Sequence, residues 1–124
     1  MGNPVVHFEI RARDLTRQKS FYSALFAWEL GPESELLNYS MIDTNPEHRY
    51  ATPGAGIPGG IMPSPSGSPG LTFYVQVDNL EAALARARSL GASTVVPPTK
   101  LPAAAARFAV ISDLEGNELG LLGV

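Results

Sequence analysis

VVHFEIRARDLTRQKSFYSALFAWEL, residues Val5 to Leu30, decides the fold, because a strand pattern runs straight into a helix pattern. From Val5 to Arg13, Phe8, Ile10 and Ala12 share one parity, and His7, Glu9, Arg11 and Arg13 share the other. That alternation gives a strand with one apolar and one polar face. Asp14 can cap the following helix, its carboxylate accepting from first-turn N–H groups. Phe21, Leu25 and Trp28 recur at helical spacing with Tyr22 and Phe26 beside them. The helix is therefore expected to bury an aromatic stripe against the sheet, ending at Gly31-Pro32. The plan returns in TFYVQVDNLEAALARARSLG, Thr72 to Gly91, where an offset of 65 lays Val75 on Ile10, Asn79 on Asp14, Leu80 on Leu15 and Leu90 on Leu25. A repeat of this length implies two similar modules sharing one core.

The totals agree with one ordinary domain. At 124 residues, 44% hydrophobic and 17% charged, the chain can bury a core without disulfides or metals. Its apolar runs fall far short of the ~20 residues that span a bilayer, so no membrane partner is expected. MGNPVVHFEI leads directly into a strand with no basic region, which argues against a secretion signal. With no cysteine there is no disulfide or thiolate chemistry, and a cytoplasmic setting fits. Nine basic and twelve acidic residues give a net charge of -3, with the basic ones scattered, which excludes nucleic acid as a natural partner.

Further along, Leu36 to Ile42 and His48 to Thr52 read as strands around an Asn45-Pro46 turn, and Ile57 to Met62 completes the first half. His48 reads as a surface residue. PSPSGSPG, Pro63 to Gly70, reads as an extended linker between module 1, about 1–62, and module 2, about 71–124. In module 2, Phe73, Val75 and Val77 alternate with Thr72, Tyr74 and Gln76. Asn79 caps a helix with Leu80, Ala83, Leu84, Ala87 and Leu90 on its apolar face, and Gly91 ends it. Thr94 to Val96 reads as a short strand stopping at Pro97-Pro98, and Ala103 to Ala106 as a turn of helix or a loop. Phe108 to Ile111 and Glu118 to Leu122 are strands joined by a tight turn through Asp113-Leu114-Glu115-Gly116-Asn117. Each half reads strand, helix, three strands.

This order resembles the vicinal oxygen chelate superfamily of glyoxalase I, bleomycin and fosfomycin resistance proteins and extradiol dioxygenases. The residues that carry it are His7 seven places before Asp14, the Phe21-Tyr22 pair, the helix ending at Gly91, and the Asp113 to Asn117 turn before the last strand. Leu114 departs from it, standing where that turn usually carries proline. RFAVISDLEGNELGLL, with PPTKLP ahead of it, is closest to the glyoxalase-like members that lack the usual metal set. The resemblance implies an α+β fold in which two βαβββ modules form a curled eight-stranded mixed sheet, a cup with the helices outside. It also implies a homodimer, with modules pairing within one chain or across two. Phe8, Ile10, Phe73, Val75, Leu119 and Leu121 are then expected under the helices. His7, Glu9, Arg11, Thr72, Tyr74, Gln76, Glu118, Gly120 and Leu122 are expected to line the cup.

Enzymes of the superfamily hold a divalent metal whose open positions chelate two substrate oxygens and stabilise a developing oxyanion. Carried over by position, the resemblance gives His7 as one ligand, but the second place falls on Thr72 and the carboxylate place on Gly120. Glu118 lies about 7 Å from Gly120 along the same strand face. No catalytic metal or other cofactor is therefore expected, a divalent ion at His7 and Glu118 being the alternative. Otherwise His7 is an imidazole hydrogen-bonded within the cup, to Glu118 or Tyr74. Glu9 and Arg11 form an ion pair at the mouth or contact a ligand, and Tyr74 and Gln76 either bind a ligand or pack across the sheet. Trp28 and Phe26 read as core before ligand platform.

Three functions follow. The first is a glyoxalase or bleomycin-resistance-like protein that binds a small organic molecule at His7, Glu9, Tyr74, Gln76 and Glu118. The second is a lyase, isomerase or dioxygenase, using a metal at His7 and Glu118 or a cup carboxylate, Glu9 or Glu118, as general base. The third is an accessory domain whose cup is filled by its own side chains or by a partner. The first is preferred, since two metal positions are lost while polar and aromatic groups remain.

Overall fold

The computed structural model describes residues 2–35, 37–46, 56–101 and 105–124. Among these residues it is α+β, with eight strands and two helices in two βαβββ modules. These fall into two compact units, His7–Leu71 and Thr72–Val124, the latter joined by the N-terminal segment through Val6.

In the first unit β1 (Val5–Ala12) leads into α1 (Leu15–Phe26), followed by β2 (Glu29–Leu30), β3 (Ser40–Asp43) and β4 (Gly59–Pro63). β1 and β4 pair in parallel, with Glu9 opposite Gly60 and Ile10 opposite Ile61. β3 runs antiparallel to β4 and β2 antiparallel to β3, giving the order β1-β4-β3-β2. Asp14 caps α1 as its sequence predicts, accepting from the N–H of Arg17 at 3.1 Å. Ile10, Ala12, Ile42 and Ile61 form the core, with Phe8, Leu15, Tyr22, Trp28 and Leu30 packed on it.

Two expectations about α1 are corrected. The helix stops at Phe26, because Ala27 takes a left-handed conformation (φ 57°) and its N–H reaches back to the Ser23 carbonyl. Trp28 thereby leaves the helix and stacks on Tyr22, 5.4 Å between centroids and 8° between planes. The helix also buries no complete stripe: Phe21, Leu25 and Phe26 remain more than half exposed, and Tyr22 carries the contact with the core. The strand expected from Leu36 begins only at Ser40, and β2 was not foreseen. The strand expected at His48 to Thr52 lies outside the described residues, as does His48.

Between β4 and β5 the Pro63 to Gly70 segment turns instead of extending. The Ser64 N–H donates to the Ala12 carbonyl at 2.8 Å, and the Ser64 hydroxyl donates to the Ser68 carbonyl at 2.5 Å.

The second unit repeats the topology with β5 (Gly70–Gln76), α2 (Leu80–Ser89), β6 (Ser93–Lys100), β7 (Arg107–Ser112) and β8 (Glu118–Gly123). Its order is β5-β8-β7-β6, with β5 and β8 parallel and the other pairs antiparallel. Leu80 and Leu84 of α2 pack against Ala109, Ile111 and Leu121. Among the described residues, each module carries a cluster of buried residues. Phe73 (44% exposed) and Leu90 (59%) also stand outside the core predicted for them.

β6 continues through Pro97 and Pro98, where the sequence suggested a stop. It is the edge of the order β5-β8-β7-β6, and its register with β7 shifts between Thr94 and Val96 and again between Val96 and Thr99. Proline is tolerated in an edge strand with irregular pairing because the missing N–H need not serve a ladder. Residues 103 and 104 of the Ala103 to Ala106 segment, together with Pro102, lie outside the described residues. The β7–β8 turn forms as predicted: one Asp113 carboxylate oxygen accepts from the N–H groups of Glu115 and Asn117, both at 2.9 Å, and the other from the Asn117 amide at 3.0 Å. The Asn117 amide foremost, then the two backbone N–H groups, hold the Asp113 carboxyl below the ordinary range.

The Asn79 side chain caps α2, accepting from the Ala82 N–H at 2.8 Å. Asn79→Ala is expected to lower stability by about 1 kcal/mol, with an unchanged dependence on denaturant, in urea unfolding.

Candidate functional site

Alternation along β1 sends Ile10 and Ala12 into the core beneath α1 and places His7, Glu9 and Arg11 on the opposite face. His7 is half-buried, and its Nε2 lies 2.8 Å from the Tyr39 hydroxyl, the two rings stacked at 21°. Burial lowers the His7 pKa, with the Glu9 charge opposing it. Glu9 is buried at 4% exposure, and its Oε2 accepts from Arg11 Nε at 3.0 Å. Of the two roles expected for this pair, the ion pair is thus formed, with Arg11 its more exposed member.

Gly60 faces Glu9 across the parallel pair, and a methyl group there would overlap the Tyr39 ring. Tyr39 therefore lies close over the β4 backbone, a position open only to glycine. Tyr39 was not among the residues predicted for the site. It precedes β3, and its approach to His7 depends on the intervening β4 strand.

In the second unit Gly120 occupies the equivalent place. It pairs with Tyr74 across the parallel β5–β8 ladder, and a methyl group there would overlap the Tyr74 ring. That ring meets Phe108 edge-on at 6.5 Å. Glu9 and Tyr74 are themselves equivalent under the offset of 65, so both modules put glycine opposite the same strand position and lay a tyrosine over it. Thr72 is buried, its hydroxyl donating to the Glu118 carbonyl at 2.7 Å. The Glu118 side chain is exposed, and so is Gln76. The Gln76 backbone binds the N-terminal segment: its N–H donates to the Pro4 carbonyl at 2.9 Å, and its carbonyl accepts from the Asn3 amide at 3.0 Å. Of the predicted residues, the structure thus puts His7 and Glu9 on one face of β1 in the first unit, and Tyr74 on a strand pair with Gly120 in the second unit.

These donors do not suit a firmly held divalent ion. The carboxylate place is a glycine under an aromatic ring, the Thr72 hydroxyl serves a backbone carbonyl, and His7 Nε2 engages a phenol. Among the described residues, no three His, Cys, Asp or Glu side chains gather as metal ligands.

A family model described as a glyoxalase-like domain matches residues 7–122. The chain belongs to the glyoxalase-like domain family. No curated protein sequence matches it. Several solved structures share its fold. Methylmalonyl-CoA epimerase from Mycobacterium tuberculosis is 20% identical, with 96% of this chain and 86% of that one covered and a TM-score of 0.67. A glyoxalase/bleomycin resistance protein/dioxygenase superfamily member from Vibrio splendidus 12B01 is 16% identical, with coverage of 99% and 100% and a TM-score of 0.68. A variant of the Streptomyces coelicolor methylmalonyl-CoA epimerase, in complex with 2-nitronate-propionyl-CoA, is 16% identical, with coverage of 98% and 94% and a TM-score of 0.69. Among the described residues of this glyoxalase-like domain, no helix is long and apolar enough to cross a membrane.

Two measurements check this geometry. Gly120→Ala is expected to cost about 1–3 kcal/mol by overpacking, and most of that cost should vanish when Tyr74 is also alanine. Additive costs in the four-protein urea series would mean that the ring does not cover Gly120. For His7, folding depresses the pKa below the ordinary 6.5, so the unfolded chain binds more protons as acidity rises through that value. The folded state then loses stability as pH falls through the ordinary 6.5 toward the lowered pKa, and His7→Gln should flatten this loss.

Proposed function

We propose that this glyoxalase-like domain binds a small organic molecule in a β-sheet cup, on the polar side of its strands, and uses no catalytic metal. His7 and Glu9 are its contacts in the first module, and Tyr74, Gln76 and Glu118 in the second. The observation that carries this reading is the tyrosine ring over Gly120. It fills the place where the enzymes this chain resembles put a carboxylate ligand, and leaves an aromatic surface with a hydroxyl. Such groups suit orientation of an organic ligand better than coordination of an ion. Support also comes from proteins of the same fold: one methylmalonyl-CoA epimerase is in complex with methylmalonyl-CoA and NH4+, and another with 2-nitronate-propionyl-CoA. The reading includes a homodimer, which the family resemblance implies, and a cytoplasmic setting, which the lack of cysteine fits.

The test has two arms. A thermal-shift screen of small organic molecules should find a ligand whose stabilisation, ~2.7 kcal/mol at a hundredfold excess over its dissociation constant, weakens in Tyr74→Ala. Protein purified without chelators or an affinity tag should contain no stoichiometric metal. Metal that is present and then lost in His7→Ala and Glu118→Ala would favour instead a metal-dependent lyase, isomerase or dioxygenase.

A further inference from the structure

Away from the polar face, the second unit holds a groove of about 430 Å³ along one side of α2. Asn79, Ala82, Ala83, Arg86, Ala87 and Leu90 line it at helical spacing, as a single stripe. Leu80 and Leu84 of the same helix fill the core, whereas the alanines of this stripe are short enough to leave open space beside them. Ile111 and Leu121 line that space from the strands, on the α2 side and so opposite to Tyr74 and Gly120. The middle of the groove is thus apolar. One charge of each sign stands along it, Asp78 where the chain enters α2 and Arg86 in the last turn. The neighbouring charges Glu81 and Arg88 are engaged, by Arg107 and Thr94 respectively. Among the described residues, the exposed side chains of Asp78 and Arg86 make no hydrogen bond or ion pair.

We propose that the α2 groove binds a linear small molecule with an ammonium group at one end, a carboxylate at the other and an alkyl chain between, the ammonium pairing with Asp78 and the carboxylate with Arg86. Arg86 stands seven residues after the cap Asn79, an axial separation of about 10 Å, which sets the spacing of the two ends. The alkyl chain covers Ala83 and the exposed flanks of Ile111 and Leu121, and each end meets the opposite charge. A molecule charged at one end only would leave the other charge of the groove without a partner, and one with like charges at both ends would be repelled at one of them. This site lies on the other side of the strands from the proposed cup, so its failure and that of the cup are separate results.

A backbone-amide NMR titration of the full chain with 8-aminooctanoate, octanoate and octylamine both locates the site and ranks the probes. 8-Aminooctanoate should move the amide signals of Ala83 and Ala87 and bind about threefold to fivefold more tightly than either singly charged probe. Reversing one charge should change the preferred ligand. Arg86→Glu, with acidic groups at both positions, should prefer 1,8-diaminooctane to 8-aminooctanoate by about tenfold, and Asp78→Lys should prefer octanedioate by a similar factor. The double variant should bind 8-aminooctanoate about as tightly as the parent, because the molecule can enter the groove the other way round. No movement along α2 with any probe, equal affinity for all three in the parent, or preferences unmoved by either reversal would overturn the proposal. Signals moving only at Tyr74 and Gln76 would also overturn it, placing the probe on the opposite face. If a charge-reversed chain fails to fold, Asp78→Asn and Arg86→Gln are measured instead; each should weaken 8-aminooctanoate binding about threefold to fivefold, and unaltered affinity in both would overturn the assignment.

Discussion

Each module is closed by pairing its first strand in parallel with its last, and the polar side of that pair carries a glycine under a tyrosine ring. Parallel pairing requires the chain to cross over, and the crossover includes the helix that covers the apolar side. The two faces of each module's strands therefore face different demands. On one, Ile10, Ile42 and Ile61, or Ala109, Ile111 and Leu121, exclude water beneath a helix. On the other, Gly60 and Gly120 give up their side chains so that Tyr39 and Tyr74 can approach the backbone. A larger residue at either glycine would displace the ring, and with it the tyrosine hydroxyl.

This changes the meaning of the missing metal ligand. By sequence position, Gly120 is a loss, a carboxylate that is absent. In the fold it is a seat for an aromatic ring, and the first module has the same arrangement at Gly60, opposite the strand position of Glu9. Thr72 is likewise used, its hydroxyl tying β5 to β8 through the Glu118 carbonyl. Two of the positions at which the resemblance places metal ligands, Thr72 and Gly120, take part in strand pairing and aromatic packing here.

Much of the fold was legible because its signals are local. Asp14 and Asn79 act within three residues of themselves, and both cap the helices predicted for them. The alternation in β1 and the Asp113 to Asn117 turn are local in the same sense. What escaped prediction depends on distant partners. Ala27 ends α1 in a left-handed conformation without the usual glycine, while Trp28 gains a ring stack on Tyr22. Pro97 and Pro98 look like a stop until β6 is known to be an edge strand. Tyr39 could be joined to His7 only through the β1–β4 and β3–β4 pairings, which no spacing in the sequence encodes. A signal did exist in the Gly59-Gly60 pair, since adjacent glycines within a strand mark close approach by something else.

The central claim is that a tyrosine ring lies over each of two strand glycines. Nuclear magnetic resonance tests it directly, because an aromatic ring shields protons beneath its face. The account predicts that the α-protons of Gly60 and Gly120 resonate upfield of ordinary strand glycines, Gly60 returning toward normal in Tyr39→Leu and Gly120 in Tyr74→Leu. Ordinary shifts at both glycines in the unaltered protein, unmoved by either substitution, would contradict it.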